Sequence, residues 1–249
     1  MKVLRFIACG IFLLALNGCM RSLILLSPED HFALGNYYLE EAEFNKAENQ
    51  FESIRDRYPS SDYATMSQFK LAVARFENKK YDEAALDFEL FLEFHPAHKL
   101  APFAQYHLAL SKYRSKLIAD RDPTIANEAL VAFNTFIGMY PDHENYNEAV
   151  RYRDELIDHM LEHDLEAGLV YYRLGIFSSA IPRLQPVAET AHDKKLQARA
   201  AYYLGRCQFS QKAYSDAIKS FEKAVGADPK SRWARKSSSW LIKASKQEK

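Results

Sequence analysis

The chain has little of what would let it be anything but a packed helical protein. Only eight glycines and nine prolines occur in 249 residues, which excludes collagen-like and low-complexity structure. No sign of charge is in excess, with 33 basic and 33 acidic residues, so nothing draws the chain as a whole toward nucleic acid or an anionic membrane. No apolar run reaches the roughly 20 residues that a spanning helix needs. A Gly-rich phosphate loop and a G-x-S-x-G elbow are also missing. Cysteine is scarce: Cys9, Cys19 and Cys207 are all there is.

What is present begins with a leader. "MKVLRF" carries Lys2 and Arg5, and the apolar run Phe6 to Leu16 follows. A basic start and a short apolar core have the form of a signal peptide, residues 1–18. It closes on "LNGC", Leu16 to Cys19, which resembles a bacterial lipobox. That resemblance implies cleavage before Cys19 and acylation, palmitate included, of its sulfur and new amino terminus. Met20 in place of Asp then implies the outer membrane rather than the inner. Cys9 leaves with the leader and Cys19 carries lipid, so Cys207 has no disulfide partner within the mature chain. Residues 19–27 form a short tether.

Beyond Ser27 apolar residues recur at three and four, the helical period. Five pairs set a small residue one turn before a large one: Ala47/Phe51, Ala84/Phe88, Ala129/Phe133, Ala180/Leu184 and Ala217/Phe221. Pro59, Pro96, Pro141 and Pro229 stand eight residues after four of the large residues, and His192 occupies that place in the fourth repeat. Ahead of the pairs lie "LG" at Leu34 and Leu204 and "LA" at Leu71 and Leu108. This resembles the tetratricopeptide repeat, in which helices A and B pack antiparallel and each unit buries its faces against its neighbours. The expected fold is all-α: a right-handed superhelix of five such repeats plus a C-terminal capping helix. "SPED" at Ser27 supplies an N-cap, Pro at N1 and first-turn acids, and Ser231 supplies the cap of the closing helix, whose Trp233 and Trp240 share a face.

Two irregularities interrupt the array. Units one and two are offset by 37 residues throughout, but Ala84 to Ala129 is 45, which places eight extra residues in the third A-to-B turn, within Lys112 to Pro123. Asp122 and Pro123 suit the start of helix B there, and Asp120 and Arg121 just outside it suit a local ion pair or a partner contact. The second irregularity is "NEAVRYRDELIDHMLEHDLEA", Asn147 to Ala167, which contains no breaker and reads as one long helix A. It divides the array into repeats 1–3 (28–143) and repeats 4–5 with the cap (144–249). The leader, the five repeats, "DRDP" before the third helix B, Tyr140–Pro141 and "VYYRLGIFSSAIPR" together resemble the BamD family, outer-membrane lipoproteins of the β-barrel assembly machinery.

The resemblance implies a non-catalytic scaffold on the periplasmic face of the outer membrane of a Gram-negative bacterium. It implies as partners a BamA-like barrel protein, other assembly lipoproteins and unfolded outer-membrane protein segments, with the membrane reached through the lipid anchor. The amino-terminal half would meet substrate and the carboxy-terminal half would dock the barrel protein. Arg183, in the place of an "NR" in the fourth repeat, is a candidate for an acidic partner. Helix A of three successive units sets a large side chain three before and four after the small residue: Phe32 and Leu39, Phe69 and Phe76, Tyr106 and Tyr113. Such a stripe either packs helix on helix or lines a groove for an extended apolar segment. Neither a cofactor nor a nucleic-acid partner is expected. Another repeat lipoprotein, such as a pilotin or a cell-division cofactor, fits the same fold. "HMLEH", His159 to His163, also matches the H-x-x-E-H of inverted zinc peptidases, though a polar helix face explains it as well. Replacing Cys19 by Ser is expected to release the protein from membranes into the soluble periplasmic fraction; membrane retention equal to wild type would refute acylation.

Overall fold

The computed structural model describes residues 26–118 and 123–248. The leader, Cys19, Asp120 and Arg121 lie outside the described residues. Within them the chain is all-α, with eleven helices and no strand: α1 (Pro28–Glu40), α2 (Phe44–Arg57), α3 (Ala64–Glu77), α4 (Tyr81–Phe94), α5 (Ala101–Ile118), α6 (Pro123–Met139), α7 (Tyr146–Arg173), α8 (Phe177–Thr190), α9 (Lys194–Ser210), α10 (Tyr214–Ala227) and α11 (Arg232–Glu248). Helices α1 and α2, α5 and α6, α7 and α8, and α9 and α10 pack as A/B pairs, and α11 closes on α10. The chain divides into two compact units between Ala74 and Arg75, inside α3.

In the first unit Ser27 caps α1. Its Oγ accepts the Asp30 amide at 3.1 Å, and the Asp30 carboxylate accepts the Ser27 amide at 3.2 Å, a capping box closed by Asp. Helices α1 and α2 then close on each other at Gly35. A Cβ there would sit 2.7 Å from the Phe51 ring, so only glycine admits this approach. The ring is fully buried with Ala47, Leu71 and Ala74 around it.

The second unit repeats the device. A Cβ on Gly205 would lie 2.7 Å from Phe221, and one on Gly168 would lie 2.7 Å from Leu184. The fourth repeat therefore pairs its smaller Leu184 with a glycine that no "LG" signature announces. In the third repeat Ala109 and Phe133 are both fully buried in one core with Phe136, Tyr152 and Leu156. The last repeat is closed as expected. Ser231 Oγ accepts the Ala234 amide, Trp233 packs 5.4 Å from Tyr202, and Trp240 packs 5.1 Å from Phe209.

Four A-to-B turns, those within the described residues, share one geometry. Ala42, Lys79, Gly175 and Lys212 adopt φ of 57°, 62°, 75° and 65°. In each case the next amide reaches back five residues, as from Glu43 to the Tyr38 carbonyl, and the residue itself reaches back three, as from Ala42 to Leu39. This is a Schellman ending, which normally selects glycine. Only Gly175 obeys that preference.

The insertion in the third unit is not confined to a turn, as the sequence had suggested. By the 37-residue offset α5 should end near 114, and it runs to Ile118; α6 starts at Pro123, three residues before its offset position. Most of the extra length is taken up as helix, because added residues inside a helix keep their backbone hydrogen bonds.

Helix α7 is unbroken over 28 residues. Its first half gives Ala149, Tyr152 and Leu156 to the core around α5 and α6, and its second half gives Leu165 and Leu169 to the core around α8–α11. Between them the Asp158 carboxylate accepts the backbone amides of His192 and Asp193, both at 2.7 Å. Those amides lie just before α9, which starts at Lys194 with Asp193 as its N-cap. A proline at 192 would have no N–H to give, which accounts for the missing proline of the fourth repeat. Pro182 and Pro186 do not stop α8, which continues to Thr190.

His107 on α5 is a polar ring set among aromatic side chains. Its ring stacks on Phe88 at 5.5 Å and meets Phe76 edge-on at 5.1 Å, and its buried Nδ1 has no hydrogen-bond partner among the described residues. Burial pushes its pKa down to about 4.

Two predictions follow from this packing. Gly205→Ala should lose about 1–3 kcal/mol through overpacking, whereas Gly226→Ala, in a helix with nothing within 4 Å of the new methyl, should gain up to about 1 kcal/mol; denaturant unfolding compares the two. For His107 the unfolded ring takes a proton near the ordinary imidazole value of 6.5 while the folded ring stays neutral down to about 4. Stability is therefore fully present above pH 6.5 and falls as pH drops toward 4, by at most about 1.4 kcal/mol per pH unit from this group. Unfolding free energies measured across that window should show a shallower acid slope in His107→Gln.

Candidate functional site

The sequence places the candidate groove on helix A of the first three repeats, at Phe32, Leu39, Phe69, Phe76, Tyr106 and Tyr113. In the first unit Phe32 packs 6.1 Å from Phe51 and 5.2 Å from Tyr63, Leu39 lies half-buried on the same core, and Phe69 is buried. In the second unit Phe76 contacts Tyr81 and His107, at 5.5 and 5.1 Å. Tyr106 is buried 5.5 Å from Phe136, and Tyr113 packs 4.7 Å from Tyr152 and 6.2 Å from Phe133.

The two tyrosines do more than fill space. Tyr106 donates its hydroxyl to Glu148 and Tyr113 donates to Glu155, each at 2.9 Å. The donors are seven residues apart on α5 and the acceptors seven apart on α7, so two helix faces meet in register. Arg151 stands between the carboxylates, donating to Glu148 at 3.3 Å and Glu155 at 2.9 Å, with its guanidinium 4.3 Å from the Tyr152 ring. Burial and the adjacent carboxylates push both hydroxyls up, Tyr113 to about 12, so both stay protonated as donors. Glu148, Arg151 and Glu155 escaped the sequence reading. The signal was there in the equal seven-residue spacings on helices 42 residues apart.

A second aromatic face lies on α7, α9 and α11. Tyr172 and Tyr203 are 5.0 Å apart, Tyr203 and Trp233 are 5.3 Å apart, and Arg206 lies 3.9 Å over Trp240. A cleft of about 220 Å³ opens here between Tyr172, Arg173, Arg199 and Tyr203, with Arg199 paired to Glu166 at 2.9 Å. Arg183 donates to Asp164 at 2.7 Å on an exposed surface.

The H-x-x-E-H residues sit on α7. His159 and His163 have ring centres 5.5 Å apart and border a surface cleft of about 190 Å³ with Glu162 and Glu166. Among the described residues no group of three or more His, Cys, Asp or Glu is placed to hold a metal ion. Cys207 is fully buried in the core of the last repeats, and burial pushes its thiol up to about 12, so it carries no reactive thiolate. No helix of the described residues is long and apolar enough to cross a membrane.

Comparison with known proteins adds the following. Residues 165–232 match a tetratricopeptide repeat family model. Among solved structures, a tetratricopeptide repeat protein from Bacteroides fragilis is 15% identical, with 86% of this chain and 97% of that chain covered and a TM-score of 0.48. The TPR2AB-domain:pHSP90-complex of yeast Sti1 is 12% identical, with 88% and 98% covered and a TM-score of 0.46. A thermophilic repeat protein of Thermus thermophilus is 16% identical, with 87% and 100% covered and a TM-score of 0.39. No curated protein sequence matches the chain. The model of the YfiO outer membrane lipoprotein family, in contrast, matches residues 26–197, well over half of the chain. The chain belongs to the YfiO family of outer membrane lipoproteins.

Proposed function

We propose that this protein is a non-catalytic member of the outer-membrane β-barrel assembly complex, where it scaffolds a BamA-like barrel protein and helps to receive unfolded outer-membrane substrates. The observation that carries this reading is the family match over residues 26–197, on a chain whose leader ends in a lipobox-like "LNGC". In this reading Cys19 bears the lipid and holds the repeats at the periplasmic face of the outer membrane.

Repeats 1–3 are then the substrate-facing half, and repeats 4–5 with the cap are the docking half. The aromatic side chains Phe32, Leu39, Phe69, Phe76, Tyr106 and Tyr113 are the candidate substrate contacts. Those with more remaining surface, Phe32, Leu39, Phe76 and Tyr113, suit direct contact, while buried Phe69 and Tyr106 support them. Arg183 suits an acidic partner group, exchanging Asp164 for a carboxylate of the barrel protein at an exposed site, where such an exchange costs little. Asp120 and Arg121 are candidates for a further contact.

The repeats supply surface and register rather than reacting groups. Tyr106 and Tyr113 are held protonated, and Cys207 is shut in the core. Affinity purification of the tagged full-length protein from its own outer membranes tests the reading: a BamA-like barrel protein should co-purify in stoichiometric amount, and its absence would overturn the assignment to the assembly complex.

A further inference from the structure

The 37-residue offset between repeats runs past the fifth repeat into the closing helix. Ala200 and Cys207 of α9 are fully buried, and so are Ser237 and Ala244 of α11, 37 residues on. Helix α11 therefore takes the place of a further helix A. On that register one pattern occurs twice. Around Gly205, α9 carries Arg199, Tyr203 and Arg206, and α11 carries Lys236, Trp240 and Lys243 at the equivalent places. The same places hold Glu29, Ala33 and Asn36 on α1 and Glu162, Glu166 and Leu169 on α7. The repeat does not need a cation on each side of a ring, since other copies do without.

The structure brings the two triplets together. The Arg206 guanidinium lies 3.9 Å from the centre of the Trp240 ring, and the Lys243 ammonium lies 4.4 Å from it. Lys236 stands 5.3 Å from the Trp233 ring, which packs 5.3 Å from Tyr203. Arg206 also donates to the Tyr202 hydroxyl at 3.0 Å and approaches Tyr172 of α7 at 5.8 Å. Beside them opens the cleft of about 220 Å³ with Arg173 and Arg199 on its walls. Arg199 has a carboxylate, Glu166 at 2.9 Å. Arg173, Arg206, Lys236 and Lys243 have no ion-pair partner among the described residues. Stacking on rings holds long side chains in place, which lowers the ordering cost of binding.

Charge and ring geometry together identify the occupant. Four unpaired cations on one face call for an anion. The rings already carry this chain's own cations, so they offer no free platform for stacked bases. Trp233 is buried and Tyr203 and Trp240 are half-buried, so the groove's rings do not project into a bilayer. A carboxylate on a pliant chain is matched, as a fork to guanidinium and as a point charge to ammonium. The cations of each triplet are seven residues apart, about 10 Å along the helix. Packed helices lie about 8–10 Å apart. Either span equals about three residues of extended chain.

We infer that this face of α9 and α11, with the end of α7, is a docking groove for an extended acidic segment of a partner protein, its carboxylates about three residues apart. The inference rests on the docking role proposed above for repeats 4–5 and names the chemistry of what docks.

The test titrates the full-length protein, in zwitterionic lipid nanodiscs, into a fluorescein-labelled 12-residue peptide with Glu at every third position and Ser or Thr between. Fluorescence anisotropy at low ionic strength should show binding, and a peptide with Gln in place of Glu should not bind. Binding should weaken at least tenfold in Lys236→Gln/Lys243→Gln, two exposed positions. It should stay within twofold in Lys219→Gln/Lys223→Gln, which removes the same charge from α10. Arg206→Gln should weaken it as well, with melting to confirm that the variant is folded. No binding by the wild type, or equal loss in the two double variants, overturns the proposal. So does displacement of the peptide by tighter-binding phosphatidylglycerol vesicles, which makes the bilayer the occupant, or by tighter-binding oligothymidylate, which makes it a nucleic acid. A barrel protein that co-purifies while the peptide fails to bind overturns this inference and leaves the assembly role standing.

Discussion

The constraint on which this structure rests is the close approach of helix A to helix B at a small residue. Gly35 against Phe51, Gly168 against Leu184 and Gly205 against Phe221 leave no space for a methyl group. Each contact buries a large side chain completely, worth on the order of 1.5–3 kcal/mol, and each fixes the rotation of helix A about its axis. Once that rotation is set, residues three before and four after the small residue face the next helix A. In the third repeat those are Tyr106 and Tyr113 around Ala109, and they meet Glu148 and Glu155 for that reason. The contacts between repeats are thus consequences of the contact within each repeat.

Helix α7 carries this logic across the middle of the second unit. One unbroken element contributes Leu156 to one core and Leu165 to the next. A turn at Pro141 still separates α6 from α7, but the cores of the third and fourth repeats are spanned by one continuous helix. Asp158 adds a polar tie between the two cores. Its charged oxygens take the two amides that lead into α9, beside a helix amino terminus that favours negative charge. A repeat array normally separates units by a breaker. Here Pro141 does so between α6 and α7, and one long helix and a carboxylate tie the two cores as well.

Much of this was legible in the sequence, because packing of this kind is written in residue size at fixed spacing. Five small/large pairs, four prolines and the Leu–Gly and Leu–Ala dipeptides located ten helices and the closing one. The turns were not legible, since Ala42, Lys79 and Lys212 take the left-handed conformation that a reader assigns to glycine. Packing on both sides holds them there, and tertiary context outweighs local preference. Gly168 was missed because no leucine precedes it, and the insertion was misplaced in part because helices lengthen more readily than turns swell. For the candidate site, sequence gave the positions of the aromatic side chains but not their engagement. Whether a tyrosine hydroxyl meets solvent or a carboxylate depends on a helix 42 residues away.

That engagement bears on where recognition can reside. A side chain that holds two repeats together cannot vary freely with a partner, and Tyr106, Tyr113, Phe76 and His107 are all held in this way. Other positions of helix A are under less demand. Six before and one after the small residue stand Glu29 and Asn36 on α1 and Arg199 and Arg206 on α9, within one chain and on a backbone that repeats itself. Where the same fold position is filled by an acid or an amide in one repeat and by a cation in another, the folding of the repeat cannot explain the difference. In a protein built from copies, departures from the copy at exposed positions carry the information about partners, and positions that agree carry the information about packing.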